Sequence, residues 1–86
     1  MTASGTGDSP KSWSVSVKPG PAWIAVNCSG DGRLQVAAAP AATLGIVCDA
    51  SSVTPSFNEI VVETARTWTV TMKAPSSVRW ALNVSQ

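Results

Sequence analysis

Residues 67–73 read Thr67-Trp68-Thr69-Val70-Thr71-Met72-Lys73, with a large apolar side chain at every second position. Successive side chains leave a pleated backbone on opposite sides, so a period of two marks a β-strand with one buried and one wet face. The same alternation recurs on both sides of this stretch. Val78, Trp80, Leu82 and Val84 alternate with Arg79, Ala81, Asn83 and Ser85, and Trp13, Val15 and Val17 alternate with Ser12, Ser14, Ser16 and Lys18.

Between these flanks lie four further strands. One runs from about Ala22 to Cys28, with Ile24, Val26 and Cys28 in phase, and follows the breaker Pro19-Gly20-Pro21. Ser29-Gly30-Asp31-Gly32 turns the chain into a strand from Arg33 that carries Leu34 and Val36. The tract 37–42 is alanine-rich but holds Pro40, and reads as a loop or strand edge. Thr43 to Cys48 places Leu44, Ile46 and Cys48 in phase. A Ser-rich connection from Asp49 to Asn58, long enough to cross between sheets, leads to a strand over Glu59 to Ala65 with Ile60 and Val62 in phase.

No stretch has a helical period. Seven short strands separated by turn signals predict an all-β fold, a small antiparallel two-sheet β-sandwich of the Ig-like or jelly-roll-like kind. The sequence reads as one domain over 12–86, preceded by a Gly/Ser/Thr-rich flexible linker over 1–11.

Composition narrows the classes of function. The chain has 86 residues, 44% of them hydrophobic and only 13% charged, so its surface relies on hydroxyls: Ser and Thr number 20. The six bases, Lys11, Lys18, Arg33, Arg66, Lys73 and Arg79, are scattered along it. Neither nucleic acid nor an anionic membrane is expected as a partner, because each requires a basic cluster. No run has the length of a transmembrane helix, and residues 2–10 lack the basic start and apolar centre of a signal peptide. Any signal, lipid anchor or membrane anchor is therefore expected upstream of residue 1. The alternative is a cytosolic chain with a ragged N-terminus.

Cys28 and Cys48 each end a strand in phase with its apolar residues, so both can point into the core. A disulfide between them is the expected arrangement, with two free buried thiols as the alternative. Closing a loop of this length is worth about 3 kcal/mol, a large share for so small a domain. Zinc is not expected, since histidine is absent and no third cysteine exists.

The missing histidine also removes the commonest general base. Glu59 and Glu63 are the nearest carboxylate pair, but four residues of strand separate them by about 13 Å, too far for glycosidic chemistry. No enzyme activity or cofactor is expected. Asp31, Asp49 and Glu59 could meet at one end of a sandwich around calcium, but no Asp-x-Asp-x-Asp pattern supports that site. Two sequons, at Asn27 and Asn83, are near chance in a Ser-rich chain.

Four tryptophans remain to be placed. Trp13, Trp68 and Trp80 are in phase with apolar neighbours and read as core. Trp23 is out of phase with Ile24, Val26 and Cys28, so a regular strand points it outward, unless it caps the sandwich edge at a strand start. Val47 and Val61 are out of phase as well and would join Trp23 in an outward patch if their strands were adjacent. Phe57 either plugs the core from its loop or projects as an anchor.

The run Trp23-Ile24-Ala25-Val26-Asn27-Cys28-Ser29-Gly30-Asp31-Gly32-Arg33-Leu34-Gln35-Val36, followed by Cys48, Phe57-Asn58-Glu59 and the ending Ala74-Pro75-Ser76-Ser77-Val78-Arg79-Trp80-Ala81-Leu82, resembles the C-terminal β-sandwich domain of secreted proteins and lipoproteins of actinobacteria, Streptomyces-like. The resemblance spans roughly residues 12–86. Its motifs are structural, so it implies an extracytoplasmic compartment and a disulfide rather than an activity. The expected role is a non-catalytic binding or adhesion module that recognises a protein or glycan at the cell surface. The alternative is an assembly domain of a larger secreted complex that works through sheet edges or faces. The sequence leaves the oligomeric state open.

Overall fold

The computed structural model describes residues 1–7 and 11–86 and contains β-strands without helices among them. Eight strands follow in order: β1 (Thr2–Thr6), β2 (Lys11–Val17), β3 (Gly20–Ser29), β4 (Gly32–Ala39), β5 (Ala42–Cys48), β6 (Thr54–Val62), β7 (Arg66–Lys73) and β8 (Arg79–Ser85). They form two four-stranded sheets, one ordered β1-β8-β3-β6 and the other β2-β7-β4-β5. All pairings are antiparallel.

The order has a simple logic. β1 pairs with β8, β2 with β7, β3 with β6 and β4 with β5, so the two halves of the chain fold onto each other as one nested series about the turn at Pro40-Ala41. Two further pairings, β3·β8 and β4·β7, stitch the pairs into two sheets. This is the jelly-roll order, and it decides between the two sandwich types the alternation allows. β4–β5 is the one pair joined by a hairpin. β1 and β6 are the edges of the first sheet, β2 and β5 those of the second.

The inner faces follow the sequence phase. Ala22, Ile24, Val26 and Cys28 of β3 and Trp80, Leu82 and Val84 of β8 face Leu34, Val36 and Ala38 of β4 and Trp68, Val70 and Met72 of β7. Trp68 is 1% exposed, and Trp80 is buried in the same core cluster. Trp13, only partly buried, meets Trp80 edge to face with ring centroids 6.0 Å apart, an arrangement that suits the quadrupoles of two indoles. No buried polar or charged residue appears among the described residues, so the core carries no desolvation cost to offset.

Cys28 of β3 and Cys48 of β5 are disulfide-bonded, with Cα atoms 5.7 Å apart. The bond joins the two sheets, near the end where the Ser29–Gly32 turn also crosses between them. That turn depends on glycine. Gly30 has φ +114°, and a Cβ there would collide with the backbone carbonyl of Ser77, while its N–H donates to the Asp49 carbonyl at 2.9 Å. A left-handed φ combined with so close an approach leaves no room for a side chain.

Three expectations require correction. Thr2–Thr6, read as flexible linker, is a strand whose residues pair with Asn83 to Arg79. The Met1 backbone completes the match, its carbonyl accepting from Val84 N–H and its amino group donating to the Val84 carbonyl. Asp8, Ser9 and Pro10, also within that linker reading, lie outside the described residues. The connection 49–58 is shorter than expected, because β6 begins at Thr54 and takes Phe57 with it. The inner face of β6 starts with Thr54, Ser56 and Asn58 while Pro55 and Phe57 face outward, so the first half of its alternation inverts the usual contrast. The alanine tract is mostly strand, with β4 reaching Ala39 and β5 starting at Ala42 around a cis Ala39–Pro40 peptide.

Candidate functional site

The sheet β1-β8-β3-β6 has an outer face whose occupants are fixed by register. Since Ala22, Ile24, Val26 and Cys28 point inward, Pro21, Trp23, Ala25 and Asn27 point outward. Trp23 stands opposite Glu59 of β6 and Ser85 of β8. Ala25 stands opposite Phe57 and Asn83, Asn27 opposite Pro55 and Ala81, and Pro21 opposite Val61.

Trp23, Phe57 and Val61 therefore share one face of two adjacent strands. Phe57 is 70% exposed and Val61 69%, whereas Trp23 is half-buried. Phe57 is two residues along and one strand across from Trp23, a diagonal of about 7–8 Å that large side chains can span. Small Ala25 lies between them, and Pro21 and Pro55 extend the apolar ground at either end. Contiguous exposed apolar surface of this kind marks contact sites on soluble domains more often than scattered single residues do.

Around this ground the face turns polar. Asn27 ends the outward row of β3, Asn83 and Ser85 lie on its β8 side, and Thr2 and Ser4 of β1 lie beyond. Glu59 is the one charge within the apolar half, set between Phe57 and Val61 along β6. An apolar centre with a polar rim is the usual anatomy of a recognition surface.

Val47 does not belong to this patch. It is 69% exposed, but it sits on β5 in the other sheet, opposite Arg33. The expected grouping of Val47 with Trp23 and Val61 needed adjacent strands, and the sheet order separates them. Cys28 and Cys48 are occupied by their disulfide beneath the surface. Pro55, Ala25 and Glu59 are members of the face that the sequence reading did not assign to it. Phase would have found Pro55 and Glu59, which lie two residues either side of Phe57, once Phe57 is placed on a strand.

Among the described residues, no three His, Cys, Asp or Glu side chains come together as a metal-binding group. Asp49 is instead engaged locally, its Oδ1 accepting from the Ser51 N–H and hydroxyl, both at 2.8 Å. The backbone bond first, then the hydroxyl, hold its carboxyl below the ordinary value of 3.8. No helix among the described residues is long and apolar enough to cross a membrane. The disulfide is consistent with an oxidising, extracytoplasmic environment, since such bonds are rare where thiols are kept reduced. Comparison of the chain with family models, with curated proteins and with solved structures returned no match.

Proposed function

We propose that this domain is a non-catalytic, extracytoplasmic binding module that docks a protein partner at the cell surface through the outer face of β3 and β6. The observation that carries the reading is the exposure of Phe57 and Val61, about 70% each, beside Trp23 on a single sheet face. The ground is mainly aliphatic, with Val61, Pro21, Pro55 and Ala25 around two rings, which suits a protein surface better than a sugar that needs flat aromatic planes. The cross-sheet disulfide and the likeness to C-terminal domains of actinobacterial secreted proteins support the compartment.

The test compares labelled wild-type domain with the double variant Phe57→Ser/Val61→Ser on cell-envelope preparations, before and after protease treatment. Binding that both the double variant and protease abolish supports the proposal. Undiminished binding by the double variant overturns the site, and protease-resistant binding overturns the protein partner in favour of a glycan.

Assembly is the second reading, and β6 favours it. This strand is nine residues long and forms an edge of its sheet, so one side of its backbone is free to pair with another strand. Size exclusion with light scattering tests self-assembly, and a monomer at high concentration argues against it.

A further inference from the structure

In β6 the residues that form the outer patch are also the ones whose backbone lies at the free edge. The direction of each backbone group in this sheet follows from its other end. Val84 N–H donates to the Met1 carbonyl and the Val84 carbonyl accepts from the Met1 amino group, so both groups point towards β1. Direction alternates along an antiparallel ladder, so Ser85, Asn83 and Ala81 point the other way and bond to Trp23, Ala25 and Asn27 of β3. Ala22, Ile24, Val26 and Cys28 are left to bond β6 through Ile60, Asn58, Ser56 and Thr54. The backbone groups of Phe57, Glu59 and Val61 therefore face away from β3, along an edge with which no strand among the described residues pairs. Pro55 agrees, because its missing N–H falls on that open side.

Phe57, Glu59 and Val61 thus offer an exposed side chain on the outer face and an N–H and C=O at the edge. An extended chain laid antiparallel along β6 meets both. Its residues opposite these three exchange two backbone bonds with each, and their side chains stand on the same outer face with Cα atoms about 5.5 Å away. A helix spends its N–H and C=O groups on itself and cannot do this.

The row also has a charge order: apolar, acidic, apolar. Glu59 is exposed, and its neighbours on the face are uncharged, with Trp23 opposite, Pro21 and Ala25 diagonal, and Phe57 and Val61 along the strand. A base opposite Glu59 in the added strand supplies the missing charge, since opposite charges paired across strands stabilise and like charges destabilise. A second copy of this chain fails that condition. Antiparallel pairing of two β6 strands that sets Phe57 against Val61 also sets Glu59 against Glu59. On the inner side the edge offers Ser56 and Asn58, joined by a hydrogen bond of 2.9 Å, which suits small polar residues in the incoming strand.

We propose that the protein partner adds an extended segment to the free edge of β6 as an antiparallel strand, with an apolar–basic–apolar row of alternate residues beside Phe57, Glu59 and Val61. This rests on the reading of the β3–β6 face as a protein-docking surface and specifies what docks there.

The test is a titration of the isotope-labelled full chain with the capped peptide Thr-Val-Thr-Lys-Thr-Ile-Thr, to millimolar concentration. The expected result is saturable shifts and slowed hydrogen exchange at the amides of Phe57, Glu59 and Val61. The amides of Asn58 and Ile60, already bonded to β3, change little. Replacing the peptide's lysine by glutamine weakens binding about two- to fivefold, the size of one cross-strand charge pair. Glu59→Lys reverses the preference, so that a peptide with glutamate in place of lysine binds better. N-methylation of the peptide's valine, lysine and isoleucine abolishes binding, whereas N-methylation of its threonines is tolerated. No saturable shift, equal binding of both N-methylated peptides, or a preference unmoved by Glu59→Lys overturns strand addition. Envelope binding that Phe57→Ser/Val61→Ser loses would survive such a result, so the docking face and the added strand fail separately.

Discussion

On the outside of β7, Thr67, Thr69 and Thr71 stand where β6 carries Phe57, Glu59 and Val61. The contrast extends across both sheets. Ser12, Ser14 and Ser16 lie in register with Thr71, Thr69 and Thr67, and Ser12 and Thr71 are joined by a hydroxyl–hydroxyl hydrogen bond of 3.1 Å. The β2–β7 half of one outer face is thus a field of small hydroxyls, whereas the β3–β6 half of the other carries the exposed Phe57 and Val61. Both serve the same fold, so the fold does not dictate what they carry. A strand needs only an inner row of the right size and phase, and its outer row is left to solubility or to contact.

The largest effects are expected inside the sandwich. Trp68→Ala removes a fully buried side chain beneath the hydroxyl face and is expected to cost about 3–5 kcal/mol. Urea unfolding would read it directly. If the cost were well under 1 kcal/mol, the inner row would not be the determinant described. Cys28→Ser/Cys48→Ser should lose about 3 kcal/mol, since the bond closes a loop with a sequence separation of 20. For a domain of this size that lowers Tm by more than about 10 °C.

A swap of outer faces is expected to be nearly silent for stability. Phe57→Thr/Val61→Thr gives β6 the outer dress of β7 and should change unfolding free energy by no more than about 0.5 kcal/mol per site. A loss several times larger would mean that the exposed patch serves folding rather than contact. The smallest expected effect is at Asp49. Its folded carboxyl titrates below its ordinary value, so it contributes stability at pH above the unfolded value and loses it as pH falls through the folded one. Asp49→Asn should therefore be slightly less stable than wild type near neutrality, and the two acid-unfolding curves should converge at low pH. Divergence at low pH would reverse the sign.

The same two strands explain how much the sequence could reveal. In β7 the inner residues Trp68, Val70 and Met72 contrast sharply with threonines, and the strand is legible from seven letters. In β6 the inner row opens with Thr54, Ser56 and Asn58, where Asn58 Nδ2 donates to Ser56 Oγ at 2.9 Å, and the outer row holds Phe57. Polar-in and apolar-out inverts the usual cue, so the first half of the strand reads as a loop. β1 was hidden for a related reason, since Thr2–Thr6 has no large side chain and is defined by its pairing with β8. Trp23 was legible because its phase depends on its own strand alone. Membership of the patch was not, since it depends on which strands are neighbours, and Val47 and Val61 look alike until the sheet order separates them.

The nested order also bears on how the chain reaches this state. Only β4 and β5 are neighbours both along the chain and in a sheet, so every other ladder must close a longer loop before any of its bonds form. Each completed ladder would bring the next two strands closer together, so the nested order favours closure from Pro40-Ala41 outward, with β1 last. Sequences built mainly from such distant partners fold slowly for their size. The last ladder to close is also the one best placed to fray, which makes the joint of β1 with β8 the seam at which this domain would begin to open.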